Sequence, residues 1–305
     1  MPMTEVSPQP LPIAVAEADS GIPRATLRIW ERRYGFPQPL RDQRGERGYP
    51  AAQVEKLRLM RRLLELGHRP AQLVEMGVDE LARLARGPRA RGTAVEDVRE
   101  DAFIRMLKAH DMRRLVGHLR RALDQKGLES FVTHRLPRLN AAVGEAWAQG
   151  QLQVFEEHLY SDGVQQVLRG AIAALDVPAS ARPRVLLATF PQELHGLGLL
   201  MAWALLGLHG ANCMSLGVNA PVAQVAAAAV AHRADIVGLS FSAGMNPGQA
   251  ARGLQELRGL LPPRTEIWAG GSCTLLARRK IGGALVMPTL EQIGPELERW
   301  RAPTA

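Results

Sequence analysis

The sequence predicts a multidomain protein of the α+β class. Its first half repeats apolar residues at helical spacing, whereas after Pro183 short β-branched runs alternate with helical segments. A third observation is a block of positive charge near the N-terminus, since residues 20–63 hold 11 Lys/Arg and 4 Asp/Glu, a net charge of +7. With 305 residues and 46% hydrophobic content, the chain can bury two or three small cores. The predicted segments are a basic domain at 11–81, a linker at 82–98, a helical domain at 99–177 and an α/β domain at 183–302.

Composition also indicates the cellular compartment of the protein. No apolar run approaches the ~20 residues needed to span a bilayer, and the N-terminal residues lack the basic and apolar regions of a signal peptide. The only two cysteines, Cys213 and Cys273, show no metal-ligand spacing. We therefore expect a cytoplasmic protein that does not associate with membranes.

The basic segment indicates a helix-turn-helix. Residues 11–20 predict a short helix, Gly21-Ile22 a turn, and Pro23 the first turn of a second helix over 24–34. Residues 35–49 are turn-rich and basic, as expected of a two-stranded wing, and helices follow at 51–66 and 70–76. Positive charge on such a motif favours contact with the phosphates of double-stranded DNA. The candidate DNA contacts are Arg24, Thr26, Arg28, Arg32, Arg33, Tyr34, Arg44, Arg47 and Tyr49.

The helical domain predicts a four-helix bundle. Its predicted helices cover 100–109, 112–126, 127–149 and 154–175. Trp147, nine intervening residues and then Glu157-His158 form a W-x9-E-H pattern. Neighbouring helical residues point about 100° apart, so Glu157 and His158 cannot both face one ligand squarely.

The last segment predicts a doubly wound parallel sheet of the flavodoxin-like type. Its predicted strands are 185–190, 212–216, 236–241, 266–269 and 284–287, and its helices are 196–208, 222–232, 247–261 and 290–301. Ligands of such sheets bind outside the carboxyl ends of the strands. Three features lie at the carboxyl ends of the first, third and fourth strands: Glu193-x-His195-x-x-Gly198, Ser240-Phe241-Ser242 and Gly270-Gly271.

These features have a common chemical interpretation. A carboxylate two residues before a histidine can accept one ring N–H, which fixes the tautomer and strengthens the imidazole as a metal ligand. Hydroxyls after the third strand point into the same crevice, and adjacent glycines let a large ligand pass close to the backbone. His195 is therefore the candidate metal ligand.

The combination resembles the cobalamin-binding module of methionine synthase and the cobalamin-dependent mutases. The resemblance implies that His195 is the lower cobalt ligand and that Glu193 is its hydrogen-bonding partner. It also implies that Ser240 contacts the dimethylbenzimidazole tail and that Gly270-Gly271 line its tunnel.

The W-x9-E-H pattern is similar to the signature of light-responsive regulators of the CarH/LitR type, and residues 26–49 look like a MerR-type winged helix-turn-helix. The resemblance covers residues ~11–300 in the domain order of that family. It implies a transcriptional repressor that binds adenosylcobalamin, with methylcobalamin as the other possibility. It further implies that Trp147, Glu157 and His158 enclose the adenosyl group, and that a dark homotetramer on its operator disassembles in light.

Two residues depart from these patterns. Ser242 stands where the cobalamin module has leucine, and Ala148 stands where well-known photoreceptors have a histidine that captures cobalt after photolysis. Because alanine has no imidazole, a photoproduct with cobalt held by two histidines cannot form through position 148. The alternatives are a light response with another product and a cobalamin metabolite sensor.

Three rival functions account for less of the sequence. A cobalamin-dependent enzyme subunit needs a substrate domain, commonly a barrel of ~250 residues, for which the chain has no room, so we expect no enzyme. A vacant docking module would leave the ligand-type residues unexplained. A metal- or drug-sensing regulator of the MerR type would have a long dimerisation helix and a cysteine-bearing end, and the sequence predicts neither feature.

Overall fold

The computed structural model describes residues 10–41, 45–65, 68–85, 100–277, 281 and 283–302. Contacts divide the chain into two compact units. Residues 1–108 and 141–158 form the first unit, and residues 109–140 and 159–305 form the second. No helix in these described ranges is long and apolar enough to cross a membrane.

The first unit contains a helix-turn-helix followed by a small sheet. Its elements are β1 Leu11–Pro12, α1 Ile13–Ser20, α2 Arg24–Tyr34, β2 Leu40–Arg41, β3 Arg47–Tyr49, α3 Ala51–Glu65, α4 Pro70–Glu75, α5 Val78–Ala85 and α6 Glu100–Lys108. The wing has three antiparallel strands rather than the two predicted, in the order β1-β3-β2, because Leu11 pairs with Tyr49. The turn before α2 depends on Gly21, which adopts a φ of 66° and donates its N–H to the carbonyl of Glu17.

The predicted linker at 82–98 was wrong over residues 82–85, which belong to α5. Val78, Leu81 and Leu84 repeat at helical spacing, and this apolar stripe packs on the core of the first unit, where Leu81 is fully buried. The Arg- and Gly-rich composition of the segment hid this short helix. Residues 86–99 lie outside the described residues.

Two long helices contribute to both units, namely α9 Leu136–Ala148 and α10 Val154–Ala173. The predicted continuous helix over 127–149 is helical from residue 128 to 148 but irregular at its start. A short helix α8, Leu128–Ser130, leads into a π-helical segment, Phe131–Arg135, and then into α9. The end of α9 places Ala148 in the core of the first unit.

The second unit contains a five-stranded parallel sheet in the order β5-β4-β6-β7-β8. Its other elements are α7 Met112–Lys126, β4 Arg184–Ala188, α11 Leu197–Leu208, β5 Asn212–Gly217, α12 Val222–Ala231, β6 Ile236–Phe241, α13 Pro247–Leu260, β7 Glu266–Gly271, β8 Ala284–Met287 and α14 Ile293–Arg301. Helix α11 packs with α14, and α12 packs with α13. This topology confirms the predicted doubly wound fold.

The strand order fixes where a ligand can bind. The central strands β4 and β6 are almost continuously buried, as expected when helices cover both faces of a parallel sheet. The chain passes from β4 to β5 on one side of it and then returns to β6 on the other side. The direction in which strands are added therefore reverses between β4 and β6. The crevice beyond their carboxyl ends is the switch point at which such sheets bind ligands.

Candidate functional site

The loop that follows β4 is held in place by the loop that follows β5. The hydroxyl of Thr189 donates to the carbonyl of Glu193 at 2.7 Å, and the backbone N–H of Asn219 donates to the hydroxyl of Thr189 at 2.9 Å. The side-chain oxygen of Asn219 accepts the N–H of Gln192 at 2.9 Å. Gln192 and Asn219 both have positive φ, of 72° and 58°. The loop therefore has a fixed path that presents Glu193 and His195.

Glu193 and His195 form a buried–exposed pair. The carboxylate oxygen Oε1 of Glu193 lies 2.6 Å from Nδ1 of His195 and accepts its backbone N–H at 3.0 Å. The side chain of Glu193 is 1% exposed, whereas that of His195 is 57% exposed. Burial by itself raises the pKa of Glu193, but the hydrogen bonds from His195 and Ser242 outweigh it and lower the pKa below its usual value. The charged carboxylate fixes the proton on Nδ1, so Nε2 is the nitrogen suited to metal coordination.

Ser242 connects this pair to the third strand of the sheet. Its backbone N–H donates to the second carboxylate oxygen of Glu193 at 2.7 Å. Its hydroxyl oxygen is buried and has no hydrogen-bond partner among the described residues. Because a buried hydroxyl without a partner is costly, this atom is suited to a polar group brought by a ligand.

Two predicted glycines are required by close contacts. A Cβ on Gly271, whose φ is 117°, would lie 2.2 Å from the carbonyl oxygen of Phe241. A Cβ on Gly198 would lie 2.5 Å from the hydroxyl oxygen of Ser240. A side chain at position 271 would therefore displace the backbone at Phe241. A side chain at position 198 would displace the Ser240 hydroxyl, for which Gly198 leaves space.

A cavity of about 430 Å³ lies beside these residues, within the second unit. Its wall includes Ser240, Gly270-Gly271 and Gly198 from the sheet domain, together with Thr133 and Pro137 from the helical segment. Most of the lining is apolar, so the cavity suits an elongated aromatic or aliphatic group. The His195 loop that leads to cavity-lining Gly198, the Ser242 hydroxyl without a partner among the described residues, and the glycines at the cavity wall together fit a corrinoid with its nucleotide tail.

The W-x9-E-H residues belong to the first unit, whereas the His195 loop belongs to the second. Trp147 is partly buried against the core of the first unit. Oε2 of Glu157 lies 2.8 Å from Nδ1 of His158, whose side chain is 72% exposed. The two side chains contact each other, and the expectation that they do not both face one ligand squarely stays a prediction. Their contact with a cofactor remains a prediction.

The candidate DNA-binding surface is carried by α2. Arg28, Arg32 and Arg33 are exposed, whereas Thr26 and Tyr34 are half-buried. Arg24 is exposed but bonded to Glu17 through both its backbone N–H and its Nε, each at 2.9 Å. The guanidinium of Arg33 lies 5.4 Å from the ring centroid of Tyr34.

Tyr49 does not fit the predicted role of a DNA contact. Its side chain is fully buried, and its hydroxyl donates to Oε1 of Glu31 at 2.5 Å. Burial, followed by the bond to Glu31, raises the pKa of Tyr49 well above its usual value. The other oxygen of Glu31 accepts Nε of Arg47 at 3.2 Å. Tyr49 therefore positions the wing on α2. Another predicted DNA contact, Arg44, lies outside the described residues.

Comparisons with known proteins agree with this arrangement. The model of the MerR HTH family regulatory proteins matches residues 11–76, and two models of B12 binding domains match residues 99–170 and 183–297. The chain is 30% identical over 266 residues to the HTH-type transcriptional repressor CarH of Myxococcus xanthus, which covers 85% of this chain and 88% of the relative. It is 33% identical over 248 residues to the repressor CarA of the same organism, covering 80% and 81%.

A solved structure supports the fold. The monomethylamine corrinoid protein of Methanosarcina barkeri matches 65% of this chain and 96% of its own, with a TM-score of 0.52 and 15% identity. The fold and the matched domains define a DNA-binding regulator of transcription that carries B12-binding domains. The chain belongs to the family of CarH- and CarA-type HTH transcriptional repressors. These relatives are not enzymes, in agreement with the expectation from the sequence.

Proposed function

We propose that this chain represses transcription from a double-stranded DNA operator and that adenosylcobalamin controls its binding. The observation that carries the proposal is the Glu193–His195 pair on the loop that leads to Gly198, which lines a 430 Å³ cavity, in a chain that also has a basic helix-turn-helix. When bound, adenosylcobalamin would supply a cobalt ion that an imidazole nitrogen can ligate and a light-sensitive bond to a bulky adenosyl group.

The residues of the second unit have separate roles in this proposal. His195 would hold the metal through Nε2, and Glu193 orients its imidazole. Ser240 and Gly270-Gly271 accommodate the nucleotide tail in the cavity, and the buried Ser242 hydroxyl gains a partner. Trp147, Glu157 and His158 enclose the upper group, with one of the last two in contact and the other anchoring its helix.

Control of DNA binding requires that the cofactor favour one state of the protein over another. We infer that the cofactor-loaded chain is a homotetramer in the dark, in which several copies of α2 reach one operator. Arg28, Arg32 and Arg33 contact phosphates, and the wing contacts the neighbouring backbone. Light that releases the adenosyl group would leave Trp147, Glu157 and His158 without this contact and would favour disassembly.

One observation favours a second candidate, a cobalamin metabolite sensor without a light response. Ala148 has no ligating atom and is fully buried in the core of the first unit. The chain therefore lacks, at that position, a side chain that could hold the metal after the upper group has gone. A light response would then rely on a different ligand or on loss of the cofactor.

The test is to add adenosylcobalamin to the purified chain in darkness and record the absorption spectrum, molecular mass and operator affinity before and after green light. We expect a bound-cofactor spectrum, a tetramer in the dark and dissociation in light. His195→Ala should lose the spectral shift, and the exposed His232→Ala serves as control. A coloured protein whose mass and DNA affinity ignore light supports the metabolite sensor. If the chain takes up no cofactor at micromolar concentration, both the light-responsive repressor and the metabolite sensor are refuted.

A further inference from the structure

Another cavity of the second unit lies at the opposite edge of the sheet from the His195 loop. It has a volume of about 440 Å³ and is lined by residues that begin or directly precede strands. Arg184 is the first residue of β4, Asp235 directly precedes β6, and Thr265 directly precedes β7. The His195 loop follows the carboxyl end of β4, so the length of that strand separates it from this amino-end cavity.

The lining of the amino-end cavity is strongly basic. Its charged members are four arginines and one carboxylate, namely Arg182, Arg184, Arg233, Arg264 and Asp235. Arg233 and Arg264 are exposed, and Arg184 is half-buried. The guanidinium groups of these three arginines have no ion pair or hydrogen bond to the residues that the structure describes. The cavity therefore presents positive charge that the described part of the chain does not neutralise.

The single carboxylate of this lining is already engaged. Oδ1 of Asp235 pairs with Nη2 of Arg182, and its Oδ2 accepts the backbone N–H of Arg184 at 2.8 Å. Arg301 in turn donates Nε and Nη2 to the carbonyl of Arg182, at 3.3 and 3.2 Å. Asp235 and Arg182 thus satisfy each other. The charges of Arg184, Arg233 and Arg264 are left for a ligand.

The remaining wall of the cavity is apolar. It is formed by Ala229 and Val230 of α12, Pro262 before β7 and Trp300 of α14. Val230 is 55% exposed, and Trp300 is half-buried. An indole offers a flat face on which a planar ring can stack. The cavity therefore has one wall suited to an anion and another suited to a ring.

The charge of the basic wall selects among anions. A carboxylate carries a single negative charge, whereas a phosphate monoester carries about −1.5 to −2 at pH 7 and offers three acceptor oxygens. Guanidinium groups bind phosphate through paired hydrogen bonds. Three arginines without partners in the described chain therefore match a phosphate better than a carboxylate.

We propose that the amino-end cavity binds a small phosphorylated molecule with a planar ring, of the class of the nucleoside monophosphates. The phosphate lies among Arg184, Arg233 and Arg264, and the ring lies against Trp300 and Pro262. This site is separate from the one proposed for cobalamin, because the amino-end cavity and the 430 Å³ cavity share no lining residue.

Calorimetric titration of the full-length chain, without DNA or cobalamin, tests the basic wall. The probes are adenosine monophosphate and inorganic phosphate. The wild type should bind adenosine monophosphate saturably, and Arg184→Ala/Arg233→Ala should weaken this binding at least about tenfold, because hydrogen bonds to charged groups are lost. Arg264→Ala, at an exposed position, should also weaken it. Arg169→Ala/Arg252→Ala removes the same charge as the double variant from exposed positions of the second unit and should bind as the wild type.

The two probes together test the apolar wall. Adenosine monophosphate should bind about fivefold or more tightly than inorganic phosphate, since stacking of a base on an aromatic side chain contributes to its affinity. Trp300→Ala should remove this preference and leave the affinity for inorganic phosphate unchanged. Equal affinities of the wild type for the two probes would refute the ligand class.

Three other results would overturn the site itself. One is a wild type that binds neither probe at millimolar concentration. Another is binding of adenosine monophosphate that both the double variant and Arg264→Ala leave unchanged. The third is a double variant that keeps this binding but lowers the salt dependence of operator affinity, which would assign the arginines to DNA phosphates. Because the titration contains no cobalamin, failure of cobalamin uptake would refute the proposed function and leave this inference standing.

Discussion

One carboxylate oxygen of Glu193 holds His195 twice, through the backbone N–H at 3.0 Å and through Nδ1 of the ring at 2.6 Å. The other oxygen accepts the backbone N–H of Ser242 at 2.7 Å. A buried charge thus fixes both the direction and the tautomer of an exposed imidazole, and it ties the loop after β4 to the end of β6. The strength of His195 as a metal ligand therefore depends on Glu193.

Glu193→Gln should weaken cobalamin binding about 10–100-fold, the range found when the hydrogen-bonding partner of a metal-ligating histidine is removed. The neutral amide is a weaker acceptor and offers only one oxygen for three N–H groups. A spectroscopic titration in darkness measures the affinity. Glu256→Gln, an exposed site on α13, is the matched control, and equal affinities for the two variants would refute the positioning role.

The same carboxylate predicts a pH dependence of stability. The pKa of Glu193 is lowered in the folded chain, so its contribution is fully present above the ordinary value of ~4.3 and is lost as the pH falls through the lowered value. Above about pH 5, the wild type should therefore melt at a higher temperature than Glu193→Gln by a margin to which the charged carboxylate contributes fully. This margin should shrink below about pH 4. Melting curves between pH 3 and 7 check it, and a margin that grows in acid would contradict the sign.

The sequence predicted the pair but not the frame that holds it. Glu193, His195 and Gly198 are close in sequence, so their spacing indicated their chemistry. Thr189 and Asn219 are thirty residues apart and meet only because β4 and β5 are neighbours in the sheet. The sequence offered one indication of this contact, namely Asn219 in a Gly-Val-Asn segment, because asparagine favours turns and tolerates the positive φ that it adopts here.

The limits at Trp147 and Tyr49 have a different cause. Trp147 looks the same in sequence whether it faces a ligand or the DNA-binding core, because an aromatic residue near a helix end suits both. Tyr49 follows a basic stretch typical of a wing, yet its neighbours in the fold are Leu11 and Glu31. Long-range pairing, which spacing does not report, buries Tyr49 and packs Trp147 partly against the core of the first unit, whereas the cofactor contact of Trp147 stays a prediction.

Gly271→Ala should destabilise the second unit by about 3 kcal/mol or more, since its φ of 117° is strained for alanine and the new methyl would lie 2.2 Å from a carbonyl oxygen. Gly259→Ala, where nothing lies within 4 Å, should instead stabilise by about 0.5–1 kcal/mol because it removes a glycine from α13. Chemical denaturation measures both. A neutral Gly271→Ala would show that this edge of the cavity yields.

Arg28→Ala should weaken operator binding without loss of stability. Arg28 is exposed on α2, and each phosphate contact contributes about 0.9 to the slope of log affinity against log salt concentration. The slope should therefore fall by about that amount, while the melting temperature stays unchanged. Fluorescence anisotropy at several salt concentrations provides the slope, and an unaltered slope would remove Arg28 from the interface.

Tyr49→Phe should do the reverse. It removes the hydroxyl that donates to Glu31 and leaves a partly buried carboxylate oxygen without that donor, at a cost of about 1–3 kcal/mol. The salt slope of DNA binding should stay at its wild-type value because Tyr49 reaches no phosphate. A changed slope with unchanged stability would restore Tyr49 as a DNA contact.

Ala148→His tests whether the buried end of α9 excludes a histidine at this position. An imidazole in a site that is 0% exposed must be accommodated in the packed core of the first unit, and overpacking of this kind costs about 1–3 kcal/mol. The variant should lower the unfolding free energy by at least that amount, whereas Ala141→His on the exposed side of α9 should not. After illumination, the wild type should not show the spectrum of cobalt held by two imidazoles, because Ala148 supplies no second one. A stable Ala148→His chain would show that the docking of α9 leaves room for a larger side chain. A two-imidazole spectrum in the wild type would show that another histidine takes that role.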